Sequence, residues 1–146
     1  MSTIAEILEE KPGDVIRIDG GATVFDAVKA MVEANVGALL VTGGEHGETI
    51  TGIFTERDYL RRIAVEGRRS RDTAVSDVMS SPVLAVTRET TVEEAMALMT
   101  DRRIRHAPVV DEGALVGMIS IGDLVKFTSQ KQSFQIQYLT EYISAR

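Results

Sequence analysis

Cysteine and tryptophan are absent from this 146-residue chain, and only three prolines and two histidines occur. Without cysteine the chain can form no disulfide, has no thiolate nucleophile and offers no sulfur ligand to a metal. Two histidines leave little for a histidine-based metal site. We therefore expect no metal site and no cysteine-based catalysis.

Long apolar runs are also missing. No run approaches the roughly 20 residues of a membrane-spanning helix, and the first residues lack the basic and apolar regions of a secretory signal. The chain is 44% apolar and 26% charged, as is typical of water-soluble globular proteins. We expect a cytoplasmic protein that does not contact membranes.

Basic residues are fewer than acidic ones, 16 against 22, so the formal net charge is −6. Because nucleic-acid binding needs a basic face, this balance argues against a nucleic-acid partner. Arginines still cluster within 57–71 and within 102–105. Such clusters suit a small anionic ligand, since arginine makes forked contacts to phosphate. The alternative is that these arginines only solvate helix faces.

The chain contains an internal repeat. Residues 23–31 recur at 91–99 with an offset of 68, and residues 52–58 recur at 117–123 with an offset of 65. The difference falls in the loop 43–49, where a turn can absorb it. A repeat of this length implies two similar units that bury a shared face and create paired clefts.

Hydrophobic periodicity predicts the order β-α-β-β-α in each repeat. A short amphipathic helix at 3–10, ended by Lys11-Pro12-Gly13, leads into repeat one. The elements of repeat one are predicted as a strand at 15–18, a helix that Thr23 caps and Asn35 ends, hairpin strands at 38–41 and 49–54, and a helix from Thr55 to Gly67.

Repeat two follows the same plan. We predict the α+β fold class, with the repeats packed pseudo-symmetrically through their sheets. Its elements are predicted as a lead-in helix at 75–79, a strand at 83–86, a helix at 91–100, hairpin strands at 107–110 and 115–119, and a helix from Ser120. The predicted division is repeat one with its lead-in helix at 1–67, a linker at 68–73, repeat two at 74–127 and a C-terminal helical tail at 128–146.

The first helix of each repeat carries an apolar stripe. The stripes consist of Val24, Ala27, Val28, Met31 and Val32 in repeat one, and Val92, Ala95, Met96 and Met99 in repeat two. They exceed what one small three-stranded sheet can cover, so we expect two chains to associate into a homodimer.

A hydroxyl followed three residues later by aspartate occurs at the same place in both repeats, as Thr55 with Asp58 and Ser120 with Asp123. A capping box explains this spacing, because it satisfies free amides at a helix start. A ligand explains it too, because those amides attract phosphate and a carboxylate accepts both hydroxyls of a ribose. Capping and binding can coexist.

Residues 103–110 read Arg-Ile-Arg-His-Ala-Pro-Val-Val, whereas the matching residues 35–41 are uncharged and have glycine where Arg105 stands. Any two clefts related by the repeat would therefore differ chemically. His106 is either a surface packing residue or a ligand contact.

Together, the two β-α-β-β-α units, the Gly-hydrophobic-x-Thr/Ser-x-x-Asp signature and the Arg-His-x-Pro-Val-Val-Asp run resemble a tandem pair of CBS (cystathionine β-synthase) domains, or Bateman module. Residues 54–61 are similar to free-standing bacterial members. The resemblance implies a regulatory sensor that reversibly binds adenosine nucleotides and signals to an unknown partner protein. AMP is the first candidate ligand, followed by ATP, ADP and NAD(H), with no catalytic cofactor.

The resemblance also implies the ligand contacts. Asp58 and Asp123 would bind ribose hydroxyls, with Thr55 and Ser120 near the phosphate. Opposite Asp58 it implies Ser80, Ser81, Val83, Ile104, Arg105, His106 and Pro108. Opposite Asp123 it implies Ile16, Val36, Gly37, Ala38 and Leu40.

Other functions stay open at this point. An enzyme is disfavoured, because the chain has no nucleophilic cysteine or His-x-x-His motif and Gly43-Gly44 lacks a phosphate-loop lysine. A structural dimerisation module without ligand and an S-adenosylmethionine binder are the remaining alternatives. We therefore predict a protein that is not an enzyme.

Overall fold

Helices and strands follow one another along the chain in nearly the predicted order. The structure, a computed structural model, describes residues 2–11, 15–47 and 49–130. The elements of the first part are α1 (Ile4–Glu10), β1 (Arg17–Asp19), α2 (Val24–Ala34), β2 (Ala38–Gly43), β3 (Thr49–Thr55), α3 (Glu56–Asp58) and a π-helix (Tyr59–Ala64). Two 3₁₀ turns (Ser70–Asp72 and Val75–Asp77) then lead to α4 (Val92–Arg102), β4 (His106–Asp111), β5 (Ala114–Ser120) and α5 (Ile121–Gln130).

The chain divides into two compact units. The repeat-one unit is Gly13–Ala85, and the repeat-two unit combines Met1–Pro12 with Val86–Arg146. The predicted boundaries at 1–67 and 74–127 follow the sequence repeats. The compact units differ from the repeats because the lead-in segments are exchanged. The lead-in segment of each repeat packs with the body of the other repeat.

The repeat-one unit contains a three-stranded sheet in the order β1-β2-β3. Strand β1 pairs with β2 in parallel, and β2 pairs with β3 as an antiparallel hairpin. Helix α2 begins at Thr23 in a capping box with Asp26 and ends at Asn35 in the left-handed conformation, so both predicted ends of this helix are confirmed. The core consists of Val24, Ala27, Met31, Leu39, Val41, Phe54, Ile63, Val75 and Val78.

The repeat-two unit contains the antiparallel hairpin of β4 and β5. The strand predicted at 83–86 is wrong in extent, because only Val86 makes a β-bridge, in parallel with Val109. A strand needs successive partners for its amides, and here only the residue at the end of the predicted run has them. The core consists of Ile4, Ile7, Val86, Val92, Ala95, Met99, Ala107, Val109, Ile119 and Leu124.

The lead-in segments dock on the two units in corresponding ways. Thr3 bridges Thr91 before α4, and Ala74 bridges Thr23 before α2. The predicted helix at 75–79 is wrong in type, since Val75–Asp77 is a single 3₁₀ turn. The Asp77 nitrogen donates to the Ala74 oxygen and the Val78 nitrogen to the Val75 oxygen, each three residues back. The helix does not continue, because Ser80 already pairs with Ile53 of β3.

The predicted linker 68–73 packs within the repeat-one unit. The main-chain oxygen of Thr73 accepts a hydrogen bond from the Val24 nitrogen at 2.8 Å, and the Arg71 guanidinium lies 3.8 Å from the centre of the Phe25 ring. The linker is therefore attached to the first turn of α2.

Two further expectations are corrected. Val32, placed in the buried stripe of α2, is 73% exposed, because it lies at the edge of the helix face that contacts the sheet. The helix expected from Thr55 to Gly67 is α-helical only to Asp58 and then becomes a π-helix, with Val65 bonding Leu60 five residues back. The predicted C-terminal helical tail extends from α5 into residues 131–146, which lie outside the described residues.

Candidate functional site

Thr55, Asp58 and Ser80 meet at the end of β3 in the repeat-one unit. Asp58 Oδ2 accepts hydrogen bonds from the Thr55 main-chain nitrogen at 3.0 Å and from the Thr55 hydroxyl at 3.1 Å. Asp58 Oδ1 accepts a hydrogen bond from the Ser80 hydroxyl at 2.8 Å. Three of the predicted ligand residues thus form one hydrogen-bonded cluster.

The main chain holds this cluster in place. The Asp58 nitrogen donates to the Thr55 hydroxyl at 3.1 Å, which completes a capping box. Ser80 and Ile53 exchange two main-chain hydrogen bonds, of 2.8 and 2.9 Å. The serine hydroxyl is therefore positioned by a pairing with the same strand that ends at Thr55.

The start of β2 lies beside the same cluster. Gly37 accepts a hydrogen bond from the Glu56 nitrogen at 3.1 Å, and Ala38 pairs with Thr55. The Leu40 nitrogen donates to the Ile16 oxygen at 3.2 Å. Four of these residues were predicted to lie opposite Asp123, namely Ile16, Gly37, Ala38 and Leu40, and they belong to the same unit as Asp58.

Three other predicted residues of this unit stand apart from the hydrogen-bonded cluster. Ser81 is exposed and Val83 half-buried, in the segment that follows Ser80. Val36 packs against the core next to α2 and lines a groove between α2 and the π-helix.

Ser120 and Asp123 form the corresponding pair at the end of β5. The Ser120 nitrogen donates to Asp123 Oδ2 at 2.8 Å, and the Asp123 nitrogen donates to the Ser120 hydroxyl at 3.0 Å. The capping box is therefore present in both repeats, and each aspartate side chain is held against its own strand end.

The second donor to this aspartate is a cation that sequence reasoning missed. Lys11 Nζ lies 2.6 Å from Asp123 Oδ2 and also donates to the Met118 main-chain oxygen at 2.9 Å. In the sequence Lys11 only marks the end of a helix. It lies 112 positions before Asp123, and no local pattern could have indicated the contact.

The lysine lowers the pKa of Asp123. Burial raises the pKa of Asp123, but the hydrogen bond from Lys11, the Ser120 main-chain hydrogen bond and the lysine charge outweigh this effect. The pKa of Asp123 is therefore below its ordinary value, and this carboxylate stays ionised in neutral solution.

The run containing Arg105 lies next to Ser120, in the repeat-two unit. The Ile121 nitrogen donates to the Arg105 oxygen at 2.8 Å, which matches the bond between Glu56 and Gly37 in the other unit. His106 pairs with Ser120, and Pro108 pairs with Met118. The remaining predicted residue of the run, Ile104, packs against the core. That this run lies opposite Asp58 in a ligand cleft stays a prediction.

Each aspartate can still accept hydrogen bonds from a ligand. A carboxylate offers about four lone-pair sites, and Asp58 uses three of them, one for the neutral Ser80 hydroxyl. A ligand hydroxyl that donates a hydrogen bond of similar strength can replace the Ser80 hydroxyl at little cost in free energy. A vicinal diol is such a donor, so the cluster suits a ribose.

Comparison with known proteins agrees with this geometry. The model of the CBS domain matches the chain twice, at residues 4–65 and 75–129. The chain belongs to the CBS-domain family. The first CBS repeat thus contains Asp58, and the second contains Asp123.

Relatives of this CBS protein occur in plants and bacteria. The Arabidopsis thaliana CBS domain-containing protein CBSX3, mitochondrial, is 43% identical over 97% of this chain, which spans 72% of that protein. A second Arabidopsis protein, CBSCBSPB2, is 35% identical over 73% of this chain, which spans only 19% of its length. The same module therefore also occurs as a small part of larger proteins.

Solved structures share the fold. A Burkholderia ambifaria protein described as a signal-transduction protein with CBS domains is 43% identical, with a TM-score of 0.84 over 90% of this chain and 96% of that one. The hexameric CBS-CP12 protein from bloom-forming cyanobacteria is 34% identical, with a TM-score of 0.76. The match covers 86% of this chain and 70% of the cyanobacterial chain. The α+β fold with two CBS repeats is thereby confirmed, and proteins of this kind are generally regulatory modules.

Proposed function

We propose that this CBS protein reversibly binds adenosine nucleotides at the signature of its repeats and reports their occupancy to another protein. The observation that carries the proposal is the cluster of Thr55, Asp58 and Ser80, in which an aspartate with a spare acceptor site faces a neutral, exchangeable hydroxyl. Family membership supports it, since CBS domains generally bind adenosine nucleotides. AMP is the first candidate, followed by ATP, ADP and NAD(H).

A thermal-shift panel tests this function. A ligand at 100 times its dissociation constant stabilises the folded state by about 2.7 kcal/mol, which raises the melting temperature by several degrees or more. We expect AMP, and to differing extents ATP, ADP and NADH, to produce this shift. Cytidine monophosphate is the matched control, because it keeps the ribose and phosphate and lacks adenine.

Three results would contradict the proposal in different ways. No shift with any nucleotide would indicate a structural dimerisation module. A shift with S-adenosylmethionine alone would indicate that ligand instead. Consumption of ATP or NADH during a long incubation would indicate an enzyme, whereas a sensor returns its ligand unchanged.

We further propose that the protein is a homodimer that uses the groove between α2 and the π-helix. This groove has a volume of about 460 Å³ and contains Val32 and Leu60 in its lining. The two side chains are 73% and 58% exposed, which is a large apolar exposure for neighbouring residues in a water-soluble unit. Association is also a property of the hexameric relative.

Val32→Asp is expected to weaken dimerisation about tenfold or more, because a charge would be buried without a partner. Val65→Asp is the matched control, since Val65 is 81% exposed and does not line that groove. Light scattering across a dilution series measures the effect against the monomer mass of 15.9 kDa. Equal dissociation constants for the two variants would place the interface elsewhere.

The proposed location of the protein is the cytoplasm. No described helix is long and apolar enough to cross a membrane. We retain the cytoplasm as the proposed compartment, although one relative is named as mitochondrial.

A further inference from the structure

The ammonium group of Lys11 engages the aspartate of the second CBS signature. Its contacts to Asp123 Oδ2 at 2.6 Å and to the Met118 oxygen at 2.9 Å fix the lysine at the strand end. At the corresponding place in the repeat-one unit, Asp58 receives the neutral hydroxyl of Ser80. The two signatures therefore differ in the charge of the donor that competes with a ligand for the aspartate.

The ion pair is accessible to a ligand. The Lys11 side chain is 42% exposed and the Asp123 side chain 23%, and both line a groove of about 220 Å³ between α1 and α5. Glu10 and Lys126 supply the other charges of this groove. A bound molecule can therefore reach the carboxylate and the ammonium together.

Breaking this pair has different consequences for neutral and anionic ligands. The hydroxyls of a ribose need the carboxylate oxygens, and the oxygen Oδ2 already accepts from Lys11. If adenosine displaces the lysine, the charge-assisted hydrogen bond between Lys11 and Asp123 is lost. If the ligand carries a phosphate, the ammonium can turn to it and keep a charge-assisted hydrogen bond.

We propose that Lys11 is a specificity-determining residue that restricts the Asp123 site to adenosine ligands carrying an anionic phosphate and closes it to adenosine. This inference rests on the proposed function. The two signatures would then bind different classes of ligand. The neutral Ser80 hydroxyl at Asp58 does not require a ligand to carry a phosphate.

Calorimetry with AMP and adenosine on Lys11→Met tests the proposal. Methionine keeps the unbranched stem and removes the charge, and an Asp58→Ala background isolates the Asp123 site. We expect adenosine to bind more tightly and AMP more weakly, so that the ratio of AMP to adenosine affinity falls roughly tenfold to a hundredfold. Lys126→Met is the matched control, because it removes a charge from the same groove and leaves the ion pair intact.

A second measurement requires no ligand. NMR titration of the Asp123 carboxyl should show its pKa rising in Lys11→Met. The pair stabilises the folded chain at pH values above the unfolded aspartate pKa, about 3.9, and this contribution is lost as the pH falls through the lower folded-state pKa. An unchanged pKa would overturn the ion pair itself.

The outcomes separate this inference from the proposed function. If the unsubstituted chain binds AMP but the ratio does not change in Lys11→Met, or changes equally in Lys126→Met, the role of Lys11 is disproved and nucleotide binding stands. If the unsubstituted chain binds no adenosine compound, both are disproved.

Discussion

Asp58→Ala is expected to weaken adenosine binding by roughly tenfold to a hundredfold, the loss typical of a charged hydrogen-bond partner. The carboxylate holds Thr55 and Ser80 in one cluster and has the acceptor capacity left for a ribose hydroxyl. Asp123→Ala should affect adenosine binding much less, because a ribose at Asp123 competes with the charged hydrogen bond that Lys11 donates to Oδ2. Isothermal titration calorimetry measures both.

Asp26→Ala is the control for this experiment. Asp26 forms the same kind of capping box with Thr23 at the start of α2, so the variant loses the hydrogen bond from the Thr23 nitrogen to Asp26 Oδ2, outside the signature. It should lower stability by about 0.5–1.5 kcal/mol, the usual contribution of one hydrogen bond, and leave adenosine affinity unchanged. Equal affinity losses in Asp26→Ala and Asp58→Ala would mean that the aspartate acts only through helix stability.

Gly52→Ala is expected to destabilise the protein by about 1–3 kcal/mol, the usual cost of overpacking a buried site. A Cβ at this position would lie 2.5 Å from the Met79 sulfur and 2.9 Å from the Ser80 main-chain oxygen. The oxygen cannot move away without breaking its hydrogen bond to Ile53. The variant should therefore also displace Ser80 from Asp58 and weaken adenosine binding.

Gly117→Ala provides the comparison, because the same glycine of the second signature meets only a side chain. Its Cβ would lie 2.6 Å from Leu8 Cδ2, the flexible end of a leucine that can change rotamer. Urea denaturation followed by circular dichroism, which suits a chain without tryptophan, should show a clearly smaller loss than for Gly52→Ala. Equal losses would show that the backbone contact at Ser80 is not the cause.

The local features of the fold were predictable because each depends on neighbours in the sequence. Thr23 caps α2 through Asp26, three residues away, and Asn35 ends the helix with a left-handed conformation that asparagine tolerates well. The hairpin of β2 and β3 follows from two apolar runs separated by a glycine-rich turn. Short-range spacing is sufficient information for such elements.

The strand at 83–86 and the π-helix were not predictable in the same way. An apolar run indicates that a segment is buried, but a strand also needs partners, and only Val86 has them here. The π-helix begins at Tyr59 in a sequence that is compatible with an ordinary α-helix. At the predicted strand, pairing with the distant Val109 decides the hydrogen bonding.

The sequence by itself determined the CBS family, the two repeats and the two aspartates, because a repeated pattern reports two copies of one local structure. Only the tertiary structure decided which donor each aspartate receives. Ser80 is 22 residues from Asp58 and Lys11 is 112 residues from Asp123, and the packing of each lead-in segment on the other repeat's body brings them together. That exchange follows from contacts between distant segments, which no local residue pattern records.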